Sequence, residues 1–311
     1  MSLFSIIAAL LLERWQPDAK GRLSYEWVQR YADFFRLRFN TGEHHHGRLA
    51  WLAACSLPVF LIGLTFHLLD ALHPLLALIF TIAVAFLALN FRAFLDRFAA
   101  IHQALRDHDR ETAATLLSLW RGVPSQELDE IELARVAIET ALLAACREAF
   151  AVIVWLILGM LLGLGPAGMV IYRLTQYLDR HWGALSDLDH GDFGVFSRQA
   201  LHWMEWLPLR LNAMTYAIVG NFEDAVFCWR TQAKIWPQPE AGILLASGAG
   251  AMGVRLGHPI PENGGLTERP ELGMGDEADP DYMQSTTGLI WRGLVFWLVL
   301  LLLLNLATLV S

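Results

Sequence analysis

The sequence predicts an all-α, polytopic helical membrane protein with about four to five transmembrane helices and a cytoplasmic helical hairpin. Three observations predict it. Residues 49–69, 75–95, 150–171 and 289–310 are each almost wholly apolar, and a helix rising 1.5 Å per residue needs about 20 such residues to cross a ~30 Å hydrocarbon layer. Only 17% of the 311 residues are charged, against about 25% in ordinary soluble domains. Arginine and lysine are also unevenly placed between the apolar stretches, as positions flanking a membrane require.

From the N-terminus, residues 3–12 form a short apolar run closed by Glu13-Arg14. It lacks a basic leading region and a small-residue cleavage site, so it reads as a membrane-embedded helix, not a signal peptide. The segments 13–48 and 92–149 each carry seven Arg or Lys residues, whereas the link at 70–74 carries none. The positive-inside rule places both basic segments in the cytoplasm and the link in a tight outer turn. The hairpin occupies 92–149. Its first arm, 92–121, sets Phe94, Phe98, Ile101 and Leu105 on one helical face. Gly122-Val123-Pro124 breaks it, and Ser125 is a candidate N-cap for the second arm.

Gly163-Leu164-Gly165-Pro166 marks a kink or a break in the third apolar stretch. Simple alternation sends 172–288 to the outer side. The weaker apolar stretches 207–220 and 241–256 leave open a return to the cytoplasm. Residues 241–256 are rich in Gly, Ala and Ser, as in a closely packed membrane helix or a re-entrant element. Residues 257–288 hold seven acidic residues against one arginine, Arg269, and read as a solvated acidic loop. The whole chain, 1–311, reads as a single membrane domain.

Composition excludes some functions. A net charge of −8 opposes nucleic-acid binding, which calls for a basic surface. Cys55, Cys146 and Cys228 form neither a disulfide framework nor a C-x-x-C pair. The run Glu43-His44-His45-His46 lacks partners at fixed ligand spacing, so it reads as a polar loop and no metal site is expected. No phosphate-binding glycine loop, G-x-S-x-G or H-E-x-x-H occurs, so the catalytic residues are not legible from local motifs. The charged run at 106–111 is either a solvated face or an anion site. Arg210 after Pro208 and Arg255 after Gly253 set arginines beside apolar stretches, as snorkelling residues or as functional ones. Asp179 follows the third stretch in the same way.

Several strings resemble the CobD/CbiB family. They are Gly250-Ala251-Met252-Gly253-Val254-Arg255-Leu256-Gly257 with Pro237-x-Pro239-x-Ala241-Gly242 before it, Asp109 to Leu117-Ser118 and Arg121-Gly122, Leu128-Asp129-Glu130, Glu139, Tyr172-Arg173 to Leu178-Asp179, and Pro208-x-Arg210. The resemblance covers roughly 90–295. It implies a multi-pass protein of the bacterial inner membrane, with the bilayer and a corrinoid as partners. The implied activity is ATP-dependent joining of aminopropanol, or its phosphate, to a carboxylate of adenosylcobyric acid, with ATP and Mg²⁺ required. On this resemblance Arg121, Arg210 and Arg255 would bind phosphate or carboxylate, and Asp109, Asp179 and Glu139 would be metal or acid–base groups.

The chain departs from that family's polar pattern at Leu143, Ala144, Cys146 and Arg147, and at Gln176, Leu201, His202 and Glu240. Leu12-Glu13-Arg14, Glu205-Trp206-Leu207-Pro208-Leu209-Arg210 and Tyr216-Ala217-Ile218-Val219-Gly220 resemble the AmpE-type inner-membrane regulators linked to β-lactamase induction. A second reading therefore stands beside the synthase: a non-catalytic sensor or modulator on the same scaffold.

Overall fold

The computed structural model describes residues 2–15, 23–39, 44–183, 193–262 and 265–310. The helices are α1 (Ser2–Trp15), α2 (Leu23–Phe39), α3 (His44–Leu72), α4 (Pro74–Ala88), α5 (Phe91–Arg106), α6 (Arg110–Arg121) and α7 (Glu130–Ala145). A π turn at Cys146–Phe150 leads into α8 (Ala151–Leu161), followed by α9 (Ala167–Trp182), α10 (Val195–Val219), α11 (Phe222–Gln232) and α12 (Pro239–Met252). Five short strands come next: β1 (Val254–Leu256), β2 (Ile260–Glu262), β3 (Gly265–Thr267), β4 (Leu272–Gly273) and β5 (Asp276–Glu277). The last helix is α13 (Pro280–Val310). Four helical stretches are long and apolar enough to cross a membrane: His45–Leu72, Pro74–Arg106, Glu130–Leu161 and Pro280–Ala307. The protein is a polytopic helical membrane protein.

The boundaries differ from the expected ones in three places. The stretch expected at 150–171 is divided. Its helix begins at Glu130 and ends at Leu161, and the turn through Gly163 and Gly165, both at positive φ, opens α9. The arm expected to run unbroken over 92–121 stops at Arg106. His108 takes a left-handed φ of 57°, and the Asp109 carboxylate accepts from the Thr112 N–H at 3.0 Å to start α6. Arg106 and Arg110 therefore do not share a helix face. The cap of α7 is Asp129, not Ser125. Asp129 accepts from Glu132 N–H at 2.7 Å while Glu132 accepts from Asp129 N–H at 2.9 Å, a reciprocal box.

The chain forms two compact units. The first comprises Met1–Asn90 and Ala151–Trp206. Leu3, Ile6 and Ala9 of α1 are buried, and α1 packs on α4, whose buried face is small: Ala77, Thr81, Ala85 and Ala88. Small faces let helix backbones approach closely. Gly159 of α8 and Gly168 of α9 carry this furthest, because a Cβ on Gly168 would strike the Trp155 carbonyl. A core of Ala32, Phe35, Ala50, Ala54, Cys55, Leu178, Trp182 and Phe193 joins α2, α3 and α9. Leu57, Phe60, Leu61, Leu64 and Leu68 of α3 remain exposed, a surface suited to lipid.

The second unit comprises Phe91–Phe150 and Leu207–Ser311. Phe94, Phe98, Ile101 and Leu105 of α5 are all buried, as their spacing predicts. Residues 241–252 form the buried helix α12, where Ser247 donates to the Ala213 carbonyl at 2.7 Å. Residues 257–288 are not a simple solvated loop. β1 pairs antiparallel with β4 and parallel with β5, β2 pairs with β3, and α13 has begun by Pro280. Ile260, Leu272, Ala278 and Met283 are buried, so this segment carries its own part of the core.

Candidate functional site

The polar centre of the second unit is built on Glu139, which α7 carries into a buried position. Its neighbours along that helix, from Leu133 to Ile138 and from Ala141 to Leu142, are buried too. A carboxylate in such surroundings must find donors, because desolvation otherwise costs several kcal/mol. It finds two. Oε1 accepts from the Gly257 N–H at 2.8 Å, and Oε2 pairs with the Arg269 guanidinium. Arg269 also lies over the Trp236 ring, 5.1 Å from its centroid.

Local backbone geometry makes the first of these contacts. Gly257 sits at φ +81°, and a Cβ there would collide with the Pro270 carbonyl oxygen. His258 follows at φ 69°. The two left-handed residues reverse the chain after β1 and aim the Gly257 N–H at α7. Beyond the reversal, Glu271 lies 3.9 Å from Arg255 Nε and 3.7 Å from His258 Nε2. Both distances exceed hydrogen-bond reach, and Arg255 Nε and His258 Nε2 are buried without a hydrogen-bond partner among the described residues.

The other expected residues fall in different places. Arg121 ends α6, where a cation suits the helix dipole, and pairs with Glu262 of β2 at 2.9 Å. Arg121 and Glu139 therefore both meet the 254–277 segment, which carries Arg255. Arg210 of α10 pairs with Glu240, in the first turn of α12, at 3.5 Å. Asp109 is the exposed cap of α6, and its hydrogen bonds with Thr112 hold its carboxyl below the ordinary value. Asp179 belongs to the first unit, in the last turn of α9, where its carbonyl accepts from the Gly183 N–H at 2.8 Å. Among the described residues no group of three or more His, Cys, Asp or Glu converges to hold a metal ion. Side chains of the 43–44 positions lie outside the described residues.

Sequence reasoning missed Arg269, Glu262, His258, Glu271 and Trp236. Arg269 had one legible signal: it is the lone cation in an acidic stretch, while Glu139 is the one carboxylate of α7 beyond its first turn. Chemically, the segment around β1 gathers three guanidinium groups, each beside its own carboxylate: Arg269 by Glu139, Arg121 by Glu262 and Arg255 by Glu271. It suits binding of a phosphate or carboxylate more than removal of a proton by Glu139.

Residues 6–291 match the family model described as CobD/Cbib protein. The chain is 34% identical over 307 residues to the cobalamin biosynthesis protein CobD of Stutzerimonas stutzeri, covering 97% of this chain and 98% of that one. It is 34% identical over 227 residues to the protein of the same name from Chromobacterium violaceum, covering 73% and 71%. It is also 28% identical over 244 residues to protein AmpE of Shigella flexneri, covering 74% and 78%. No solved structure matches the chain. With nearly its whole length matched by one family model and by a relative of equal extent, the chain belongs to the CobD/CbiB family.

Proposed function

We propose that this protein acts in cobalamin biosynthesis, in the bacterial inner membrane, joining aminopropanol or its phosphate to a carboxylate of adenosylcobyric acid in an ATP-dependent amide-forming step. The observation that carries this reading is the end-to-end similarity to a protein named for cobalamin biosynthesis, with 97% of this chain covered. The guanidinium cluster around β1 supports it, since the substrates are anionic. In this reading Arg255, Arg121 and Arg210 face phosphate or carboxylate groups, and Glu139 holds the 257–269 segment in place. Mg²⁺ would come with the nucleotide phosphates and complete its shell with water, as it commonly does. Asp109 serves as a helix cap, and Asp179 stays a candidate acid–base or metal group.

Expression in a strain lacking its own synthase tests the reading. Growth dependent on cobalamin and supported by cobyric acid is expected, and failure of a well-expressed, membrane-inserted protein to rescue would overturn it. A second reading, a non-catalytic regulator, is favoured by the similarity to AmpE over 74% of the chain and by the apolar residues Leu143 and Ala144 on α7. It expects deletion to change β-lactamase induction, and an unchanged response across inducers would remove it.

A further inference from the structure

Arg135 is the most anomalous charge in the second unit. It lies on α7 and only 7% of it is exposed. Its Nε is buried without a hydrogen-bond partner, and no carboxylate among the described residues forms an ion pair with it. Glu139, one turn further along the same face, is turned to other donors, its Oε1 to the Gly257 N–H and its Oε2 to Arg269. A guanidinium cannot discharge itself, since arginine stays protonated in proteins. A buried cation without a counter-charge is a standing cost to the fold, and one held on a well-packed helix calls for a ligand.

A second observation points to the same place. The chain reversal that meets Glu139 is flanked by Arg255 and His258, and Arg255 Nε and His258 Nε2 are likewise buried and unbonded. Glu271 is their shared neighbour, too distant for a hydrogen bond to either. The Arg255 side chain is 37% exposed, so this end opens towards solvent, and Arg135 stands one helical turn from the Glu139 that receives the Gly257 N–H.

The geometry points to a binding site for a phosphoryl group of a small soluble molecule, with Arg135 as its inner anchor and Arg255 and His258 at its mouth. Arginine's planar fork matches phosphate oxygens in pairs. The inference deepens the proposed function by giving the phosphorylated substrate or the nucleotide its anchoring point. It rests on that reading only for the identity of the molecule, not for the binding.

The test uses the full chain in lipid nanodiscs, with melting followed by tryptophan fluorescence at constant ionic strength. Inorganic phosphate, O-phosphoethanolamine and ATP are titrated in separate arms, with acetate as the control. Phosphate and at least one of the two esters should raise the melting temperature, and acetate should not. A response to the monoester but not to ATP assigns the site to a phosphorylated amine, and the converse assigns it to the nucleotide. Arg135→Gln should weaken the phosphate response at least tenfold while leaving the ligand-free melting temperature unchanged or higher. A merely structural arginine would lower it, and that result overturns the inference. Arg255→Gln, on an open strand, provides the second measurement: a weaker phosphate response at unchanged ligand-free melting. No phosphate response in the wild-type protein, or an equal response to acetate, also overturns it. Rescue of growth without a phosphate response would remove this inference alone. A phosphate response without rescue would remove the synthase reading and keep the site.

Discussion

Replacing Arg269 by Met should release the 257–277 segment from α7. The side chains of Glu139 and Arg269 are 8% and 10% exposed, so solvent screens the pair little. Removing one partner of a buried pair typically costs about 3–5 kcal/mol, chiefly because the other charge stays buried and unmet. Two features of this site move the figure in opposite directions. The Gly257 N–H still satisfies one carboxylate oxygen, which lowers the cost. Loss of the guanidinium from the Trp236 face adds about 0.5–2 kcal/mol. A net loss of about 3 kcal/mol follows, a fall of roughly 150-fold in the folding equilibrium at about 1.4 kcal/mol per decade. Reversible unfolding in mixed micelles, titrated with dodecyl sulfate, measures it. Glu139→Gln and the double variant close a cycle. Groups in direct contact should show a coupling of about 0.5–3 kcal/mol, with the double variant less unstable than the sum of the singles. A cost for Arg269→Met below about 1 kcal/mol, or single effects that add to within about 0.5 kcal/mol, would refute the view that this pair holds the segment.

Three further outcomes are expected. Gly257→Ala should destabilise the second unit by at least about 1–3 kcal/mol, since it combines a left-handed backbone with a collision at the Pro270 carbonyl; faster proteolysis between 257 and 272 would report it. Gly168→Val should lower the melting temperature clearly, because its Cβ meets the Trp155 carbonyl, whereas Gly163→Ala, with open space around it, should lower it less. The Asp109 carboxyl is held below its ordinary value by Thr112, so its contribution is fully present above the unfolded value and is lost as pH falls through the folded one; amide exchange at Thr112 should accelerate over that acidic window, and Asp109→Asn should flatten the dependence.

The helical membrane class was legible because twenty consecutive apolar residues have few other uses, and four such windows recur. The inner boundaries were less so. Periodicity alone joins 92–106 to 110–121, since both arms share a 3.6-residue pattern. What separates them is one left-handed His108 and one Asp109 cap, a signal two residues long. The 257–288 segment was misjudged for a related reason. Its acidity suggests solvation, yet its strands depend on Gly253, Gly257, Gly273 and Gly275 at positive φ, and glycine counts the same in a flexible loop and in a tight corner. Of the candidate site, Glu139, Arg121 and Arg255 could be marked from the resemblance, while their partners Arg269 and Glu262 could not. Partners 130 and 141 residues away along the chain leave no local trace.

That sequence separation also governs biosynthesis. The ribosome makes Glu139 long before Arg269, so α7 enters the membrane environment with its acid unanswered. The growing protein can pack α5 against α7 early, but the clasp at Gly257 and Arg269 closes only once residue 269 has emerged. A nascent chain halted between residues 139 and 269 would carry that acid without the cation that locks it in the finished protein.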